Sequence, residues 1–407
     1  MATRRTLVSL LCVGLLLPAV EASASSDWPQ PFHDAGLTNR NGDETGLTSR
    51  RLHRLHEVRT LDVPGYVTGF VVAGDAVFVT WVVRSSPTSP AISGGVARYG
   101  LDGVPVWSRG DPCDLSDPAV VGGSLLYRSQ QTHNCLGPPD PPIIAVDAAT
   151  GVEERWSAPL LWSLPAGDRV FAATATMTER DGYLQTSLRA VDPMTGAPSW
   201  NIPVDPPTTT YVQPVAASGS LFVKKYRDIL EALDADTGGR VWAKHTRWHG
   251  SWRTLAAAGG RLFIERSQFF LVPDPTVRLV AMSTSTGATL WVRRLDPEIE
   301  TLGPNLIGSV SLFPRAVVVT QGASVQALDP ATGTPLWRRD VAGVYGMTGA
   351  GRFVFATVQP FVGAPVLEVL SAFSGRRVVR IPMPAANPIV ASGRMFWAEG
   401  TTIHVWR

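Results

Sequence analysis

Apolar and polar positions alternate along this chain in a unit that returns many times. In most copies a short apolar run ending in Ala-Leu or Ala-Val leads into Asp-x-x-Thr-Gly, and a second β-prone run then closes on Trp. This pattern predicts a β-hairpin, in which Asp accepts hydrogen bonds from amides two and three residues on and Gly adopts a positive φ. The closing Trp has a large flat face that buries well between neighbouring sheets. The turn glycines of the seven phrases are Gly103, Gly151, Gly196, Gly238, Gly287, Gly333 and Gly375.

The spacing of these glycines predicts the architecture. They recur every 42–49 residues, the period of a four-stranded propeller blade. A second hairpin, marked by Gly or Pro, lies upstream of each phrase, so one unit supplies the four strands A to D of a blade. The sequence therefore predicts an all-β fold, an eight-bladed β-propeller of four-stranded antiparallel blades.

The last blade is predicted to be closed by the other end of the chain. There are eight A–B hairpins but only seven C–D phrases, because the final unit, residues 387–407, contains three strands. Residues 52–63 have the length and β character of the missing strand. A three-plus-one blade of this kind would leave the ring without a free edge.

The first residues have the features of a secretory signal. Arg4 and Arg5 precede an apolar stretch at residues 7–20, and small residues follow up to Ala24. This order predicts that residues 1–24 are a signal peptide and that residues 25–407 form one propeller domain, which is secreted or periplasmic and has no integral membrane segment after cleavage.

The composition of the chain limits the kinds of partner that it is expected to bind. A hydrophobic content of 44%, a charged content of 17% and a net charge of +2 fit one globular domain, expected to be monomeric, and do not favour nucleic acid as a partner. Cys113 and Cys135 flank the A–B hairpin of the second blade, where a disulfide is geometrically reasonable in an oxidising compartment. The alternative is two unpaired loop thiols.

The phrase Ala-x-Asp-x-x-Thr-Gly-x-x-x-Trp resembles the repeat of the pyrroloquinoline-quinone (PQQ)-like propeller superfamily, as does the opening Asp27-Trp28-Pro29 with Phe32 and Asp34. That superfamily includes quinone-dependent alcohol dehydrogenases and the lipoprotein subunit of the outer-membrane assembly machine. For the dehydrogenases, the resemblance implies a quinone between a Trp and a ring closed by two adjacent cysteines, with a calcium ion and an Asp base. This chain has no adjacent cysteine pair, so the non-enzymatic branch without a cofactor is expected. The alternative is a PQQ- and calcium-dependent oxidoreductase that uses the central channel.

The loops suggest where a ligand binds. In a blade, the A–B and C–D turns lie on one face of the ring, here called the turn face, and the longer B–C and D–A connections lie on the other, the long-loop face. Variable loops on a rigid scaffold usually carry binding. We therefore expect a non-catalytic module that binds a protein, peptide or glycan on the long-loop face or at the channel mouth.

One D–A loop is the most specific candidate. Trp248 and Trp252 lie outside the repeat phrase, together with His245, Arg247 and His249. An aromatic and basic loop suits a carbohydrate ring or an anionic group. The alternative is that both tryptophans pack over the junction of blades four and five. His245 and His249 have no third ligand nearby in sequence, so no metal site is predicted.

Overall fold

The structure is a computed structural model, and it is built almost entirely from β-strands. It describes residues 27–35, 37–84, 91–111, 114–130, 142–152, 154–160, 162–178, 182–208, 214–225, 229–245, 251–268, 276–295, 307–341, 343–360, 363–384 and 386–407. No helix within these ranges is long and apolar enough to cross a membrane.

The described strands form eight sheets, each a blade. Before the first blade the chain forms β1 (Arg40–Asn41), the single-turn helix α1 (Ser49–Leu52) and β2 (Glu57–Asp62). Blades 1 to 4 follow in order: β3 (Tyr66–Ala73), β4 (Ala76–Arg84), β5 (Ala91–Gly100), β6 (Pro105–Asp111); β7 (Asp114–Val121), β8 (Ser124–Gln130), β9 (Ile143–Asp147), β10 (Glu154–Ala158); β11 (Trp162–Ala166), β12 (Arg169–Thr178), β13 (Gly182–Val191), β14 (Pro198–Thr208); β15 (Val215–Ala217), β16 (Ser220–Lys225), β17 (Ile229–Asp234), β18 (Arg240–His245).

The second half of the ring repeats this arrangement. Blades 5 to 8 are: β19 (Ser251–Ala258), β20 (Arg261–Gln268), β21 (Thr276–Ser283), β22 (Thr289–Leu295); β23 (Ile307–Phe313), β24 (Ala316–Gln321), β25 (Ser324–Leu328), β26 (Pro335–Asp340); β27 (Val344–Ala350), β28 (Phe353–Val358), β29 (Val366–Ser371), β30 (Arg377–Pro382); β31 (Ile389–Ala391), β32 (Arg394–Glu399), β33 (Thr402–Trp406). Within each blade consecutive strands pair antiparallel, and the first strands of neighbouring blades contact one another, so strand A lines the central channel.

The predicted three-plus-one closure is confirmed. Strand β2 pairs antiparallel with β33, with Leu61 opposite Ile403. The closing strand begins at Glu57 and not at residue 52 as predicted. Residues before it form α1, because the Thr48 hydroxyl caps that helix by accepting from the Arg51 amide at 3.3 Å.

The repeat phrase holds each blade to the next through its Trp. The Trp291 indole donates from Nε1 to the Pro330 carbonyl of the next blade at 3.0 Å. Its ring covers Gly333, where φ is +72° and an added β-carbon would lie 2.7 Å from Trp291 Cδ2. Glycine is therefore needed here for two reasons, a positive φ and a close approach. The same indole-to-carbonyl bond is made by Trp107, Trp156, Trp200, Trp242 and Trp337, over Gly151, Gly196, Gly238, Gly287 and Gly375.

The turn aspartate acts as predicted. Asp329 Oδ1 accepts from the amides of Ala331 at 2.9 Å and Thr332 at 2.8 Å, and from the Thr332 hydroxyl at 3.0 Å. The Thr332 amide is the largest of the influences that hold the pKa of Asp329 below its usual value. Asp147, Asp192 and Asp234 make equivalent bonds, whereas blades 5 and 7 carry Ser283 and Ser371 at this position.

The apolar core lies between the blades. One cluster joins Phe222 and Leu230 of blade 4 to Ile264 and Val280 of blade 5. Another joins Ala327 of blade 6 to Val354 of blade 7. Because both faces of each sheet are covered by a neighbour, the ring is a rigid scaffold whose turns and loops are the accessible parts.

Candidate functional site: the capped channel mouth

The N-terminal segment crosses the channel mouth on the turn face. We call residues 27–35 and 37–46 the cap. Its backbone exchanges two hydrogen bonds with blade 1, where Trp28 N donates to Val72 O at 2.6 Å and Val72 N donates to Trp28 O at 2.9 Å. Strand β1 then lies parallel to β27 and adds a fifth strand to blade 7.

The cap binds the same position in six blades. In each of them, the penultimate residue of strand A bonds to the cap through a backbone group. These residues are Val72, Val120, Ala216, Leu312, Gly349 and Val390. In blade 3 this position is Pro165, which has no N–H to donate. The cap therefore threads around the innermost strands and closes part of the channel.

Buried side chains of the cap strengthen this attachment. Asn41 Nδ2 donates to the Val390 carbonyl of blade 8 at 2.9 Å. Glu44 is 3% exposed, and its Oε2 accepts from the Gly393 amide at 2.8 Å. The same carboxylate accepts from Leu47 N at 3.2 Å through Oε1. A buried carboxylate is tolerated here because backbone amides satisfy it.

The cap has a strained backbone. Phe32, His33, Leu37 and Asn39 have positive φ values of 60°, 77°, 51° and 48°. Positive φ is uncommon in residues other than glycine, and such strain concentrates at functional sites. The Asn39 amide closes this loop by donating to Phe32 O at 2.9 Å, and the Phe32 side chain is 48% exposed. The strained loop thus presents an aromatic ring on the turn face.

Two cavities flank the cap. The larger is about 850 Å³ and lies against blades 2 to 5, and the smaller is about 440 Å³ and lies against blades 5 and 6. Cap residues Asp27, His33, Asp34 and Asp43 line the larger cavity, and Arg169 faces them from blade 3.

The carboxylates that line this cavity differ in how many hydrogen bonds their oxygens accept. Asp34 accepts from the Thr38 amide at 3.0 Å and from the Thr38 hydroxyl at 2.5 Å, and His33 Nδ1 lies 3.3 Å from its Oδ2. Asp27 Oδ2 accepts from the Gly74 amide at 2.9 Å. Asp27 Oδ1 is buried and has no hydrogen-bond partner among the described residues. A ligand that carries N–H or O–H donors would complete it.

The structure locates only part of the loop that the sequence singled out. Trp252 is 1% exposed, belongs to the core between blades 4 and 5, and lies under Lys224, whose Nζ is 4.5 Å from the ring centroid. The prediction of a ligand-facing ring is therefore wrong for Trp252, and the packing alternative holds there. His245 is exposed at the end of β18. Arg247, Trp248 and His249 lie outside the described residues, as do Cys113 and Cys135, so their predicted roles stay predictions.

Two observations bear on the quinone and calcium pair of the dehydrogenases. The described residues contain no group of three or more His, Cys, Asp or Glu side chains that could hold a metal ion. The sequence also has no adjacent cysteines to form the ring on which such a quinone stacks.

Sequence reasoning missed the cap as a site. In the sequence, residues 27–34 indicate only a family-like opening. The bonding partners of the cap are far away in the chain, up to 349 positions in the case of Asn41 and Val390, so no local pattern marks them. The run of short polar residues Thr38, Asn39 and Asn41 was the available signal, because Asn tolerates positive φ.

Comparisons with known proteins agree with this architecture. The computationally designed protein Ika8 is 12% identical with a TM-score of 0.59, over 86% of this chain and 99% of that chain. Quinohemoprotein alcohol dehydrogenase from Comamonas testosteroni is 13% identical with a TM-score of 0.61, over 94% and 80%. BamB from Moraxella catarrhalis is 17% identical with a TM-score of 0.55, over 87% and 99%. At these identities the similarity establishes the fold alone.

The search of curated proteins finds no match. A family model does match, over residues 184–405, which is more than half of the chain. That family is described as outer membrane protein assembly factor BamB. The matched region contains four copies of the Asp/Ser-x-x-Thr-Gly turn and most of β33, the strand with which the closing strand β2 pairs. The chain therefore belongs to the BamB family of PQQ-like β-propellers.

Proposed function

We propose that this protein is an exported, non-catalytic propeller that binds a peptide segment of a protein partner at the capped channel mouth. The observation that carries the proposal is the cap itself, which is hydrogen-bonded to six blades and has a strained loop with an exposed Phe32, next in sequence to His33, which lines a cavity of about 850 Å³. Strain of this kind persists only where the surrounding structure holds it.

The chemistry of the cavity suits a peptide. An extended peptide offers backbone N–H donors, which Asp27 Oδ1 can accept, and apolar side chains, which can pack on Phe32. Small apolar residues such as Ala216, Ala217 and Ala258 form part of the cavity wall, together with the charged Arg169 and Asp236. Membership of a family described as an assembly factor supports a protein partner over a small substrate. The long-loop face, with Trp248, is the other location at which a protein or glycan could bind.

Site-specific photocrosslinking in the native cell tests the proposal. A benzophenone amino acid is placed at Phe32 on the cap or at Tyr345, which is 68% exposed at the opposite end of the channel. We expect a discrete crosslink to one identifiable envelope protein from position 32 and none from position 345. A crosslink from position 345 alone would overturn the cap as the site, and no crosslink from either would overturn the binding function.

A matched pair of variants tests the cavity chemistry. Asp27→Ala removes the incompletely satisfied carboxylate, and we expect it to weaken binding of the crosslinked partner's peptide at least fivefold. Asp75→Ala is the control, since Asp75 lies on the same face but is exposed and pairs with Arg98 at 3.1 Å. Equal affinities of the two variants would contradict the role of Asp27.

Two further measurements address export and catalysis. N-terminal sequencing of the mature protein should place the cleavage after residue 24. Incubation with PQQ and calcium, followed by a dye-coupled assay, should give no turnover. Saturable cofactor uptake with turnover would instead support the oxidoreductase alternative. That alternative is tested because dehydrogenases are among the structurally similar proteins.

A further inference from the structure

The cap places two polar side chains with unused hydrogen-bonding capacity in the wall of the larger cavity. Gln30 is only 5% exposed and lines this cavity, yet its side-chain amide makes no hydrogen bond within the part of the chain that the structure describes. Asp27 lines the same cavity, and its Oδ1 accepts no hydrogen bond there either. A buried amide that has lost its bonds to water needs a partner. For Gln30, that partner can come only from the cavity.

The backbone fixes both side chains in place. Trp28 packs into the core between blades 8 and 1, and its backbone pairs with blade 1. The Pro29 carbonyl accepts from the Val120 amide of blade 2 at 2.7 Å, and the Gln30 carbonyl accepts from the His33 amide at 3.0 Å. Residues 27–30 are therefore held against two blades, and the two polar side chains remain at the cavity.

Asp27 has no cation as a partner. No Lys, Arg or His of the described ranges forms an ion pair with it. Arg169, which lies in the cavity wall, is engaged by two carboxylates, since its Nε is 3.1 Å from Asp168 Oδ1 and its Nη1 is 2.7 Å from Asp236 Oδ1. The turns of blades 2 to 5 that border the cavity all lie within the described ranges. The charge of Asp27 is therefore left for a ligand to compensate.

Two further carboxylates add to the negative charge of the cap. Asp34 and Asp43 line the cavity. Burial lowers the pKa of the Arg40 guanidinium, an effect that both carboxylates oppose. Arg40 lines the smaller cavity and donates from Nη2 to the Gly351 carbonyl at 3.0 Å. Its single positive charge offsets one of the two carboxylates at most, so the larger cavity favours a positively charged ligand.

We propose that the larger cavity binds a primary ammonium group of the partner peptide, with Asp27 as its counter-charge and Gln30 as a hydrogen-bond partner. This assignment rests on the proposed function, because it specifies which group of the bound peptide occupies the cavity. An ammonium group has three N–H donors and no acceptor, which suits a carboxylate and the Oε1 of an amide. Its charge-assisted bonds are stronger than those of a neutral backbone N–H. The group is either a lysine side chain or a free α-amino group.

Titration of the mature protein with short peptides, followed by ligand-detected nuclear magnetic resonance, tests the proposal and separates these two sources. One pair of probes is acetyl-Ala-Lys-Ala-amide and the same peptide acetylated on the lysine. The other pair is Ala-Ala-Ala-amide with a free or an acetylated amino terminus. In at least one pair, we expect the ammonium form to bind about fivefold more tightly or better than the acetylated form. Equal binding within both pairs would overturn the proposal.

A matched pair of variants tests the counter-charge. Asp27→Asn keeps an oxygen for the Gly74 amide but removes the charge, and should weaken binding of the ammonium peptide about fivefold without affecting the acetylated form. Asp75→Asn is the control, because it removes an equal charge from an exposed position on the same face, and it should bind as the parent does. Equal affinities of the two variants, with native melting curves, would overturn the proposal. Gln30→Leu, which loses the amide at similar volume, should weaken binding about twofold.

The crosslink from position 32 distinguishes this proposal from the proposed function. A crosslink to a protein partner without any preference for ammonium peptides would leave the function standing and reject the ammonium site. Asp27-dependent binding of ammonium peptides without a crosslink would instead reject the partner-binding function and retain the ammonium site.

Discussion

Blades 5 and 7 carry opposite charges on the third strand, at the interface of each blade with the preceding one. On blade 7, Glu368 of β29 faces blade 6, where Arg339 Nε lies 3.4 Å from its Oε2, and Arg377 Nη1 of its own blade lies 3.5 Å from its Oε1. On blade 5 the equivalent strand is β21. Its Arg278 is two residues further from the turn than the position that corresponds to Glu368, so it faces the same way. Arg266 and Arg294 lie directly opposite it on the two neighbouring strands. The central charged residue of blade 7 is therefore a carboxylate in ion pairs with two arginines, whereas that of blade 5 is an arginine with an arginine opposite it on each neighbouring strand.

The difference shows how one repeated scaffold separates structure from binding. Both interfaces share the Trp-on-Gly contact, through Trp242 on Gly287 and Trp337 on Gly375. The scaffold therefore does not depend on the charged residues near the long-loop end. On blade 7 such residues form ion pairs at the interface with blade 6, whereas on blade 5 three arginines occupy neighbouring positions on one face of the sheet.

The largest effect is expected where the two interfaces are alike. In Gly287→Val and Gly375→Val, a β-branched residue is forced to a φ near +65° and its Cβ would lie 2.8 Å and 2.6 Å from the facing indole. Backbone strain and overpacking together should lower the free energy of unfolding by about 2–5 kcal/mol in both variants. Urea denaturation measures it. A large loss in one variant and none in the other would show that the interfaces are not built on the same contact.

The second prediction is that removing the central charge changes the free energy of unfolding in opposite directions at the two interfaces. Glu368→Gln leaves Arg339 and Arg377 without a counter-charge, and because both arginines are partly exposed, the loss should be modest, about 1–2 kcal/mol. Arg278→Gln should instead be neutral or raise the free energy of unfolding by up to about 1 kcal/mol, since it relieves repulsion. Urea denaturation of the two variants at low salt tests this. A loss for Arg278→Gln as large as that for Glu368→Gln would break the comparison.

The smallest effect concerns the turns, where blades 5 and 7 both carry Ser in place of Asp. In Ser283→Asp the new carboxylate should accept the turn amides, as Asp329 does, and raise the thermal midpoint on the order of 1 °C at pH 7. Hydrogen bonds hold the pKa of Asp329 and its equivalents below the usual value. A folded pKa below the unfolded value of about 3.9 means that the gain is present above that pH and is lost as the pH falls through the folded pKa.

Thermal melts of Ser283→Asp and the parent at pH 7 and pH 3 measure this dependence. Ser283→Asn is the matched control, because it keeps an acceptor oxygen but does not titrate in this range. A gain that is the same at both pH values would contradict the assigned role of the turn carboxylate.

Much of the fold, but little of the candidate site, could be predicted from the sequence. The turn of Asp329, Thr332 and Gly333 is recognisable because its hydrogen bonds join residues two and three positions apart. At Trp252 the sequence left two alternatives open, a ligand-facing ring or packing at the junction of blades four and five, and the structure shows packing. Strand pairing places it opposite Arg266 and under Lys224, neighbours that no local pattern contains.

The sequence by itself determined the blade, its turn chemistry and the number of repeats, because those depend on contacts within a period of fewer than fifty residues. Only the tertiary structure decided that the cap is hydrogen-bonded to six blades and that Arg266, Arg278 and Arg294 lie opposite one another on three neighbouring strands. Both arise from pairings between distant strands, and a shift of one residue in the register of any strand would turn its side chains to the other face. Local turns follow from local sequence, whereas the sites of this protein follow from how the closed ring brings distant segments together.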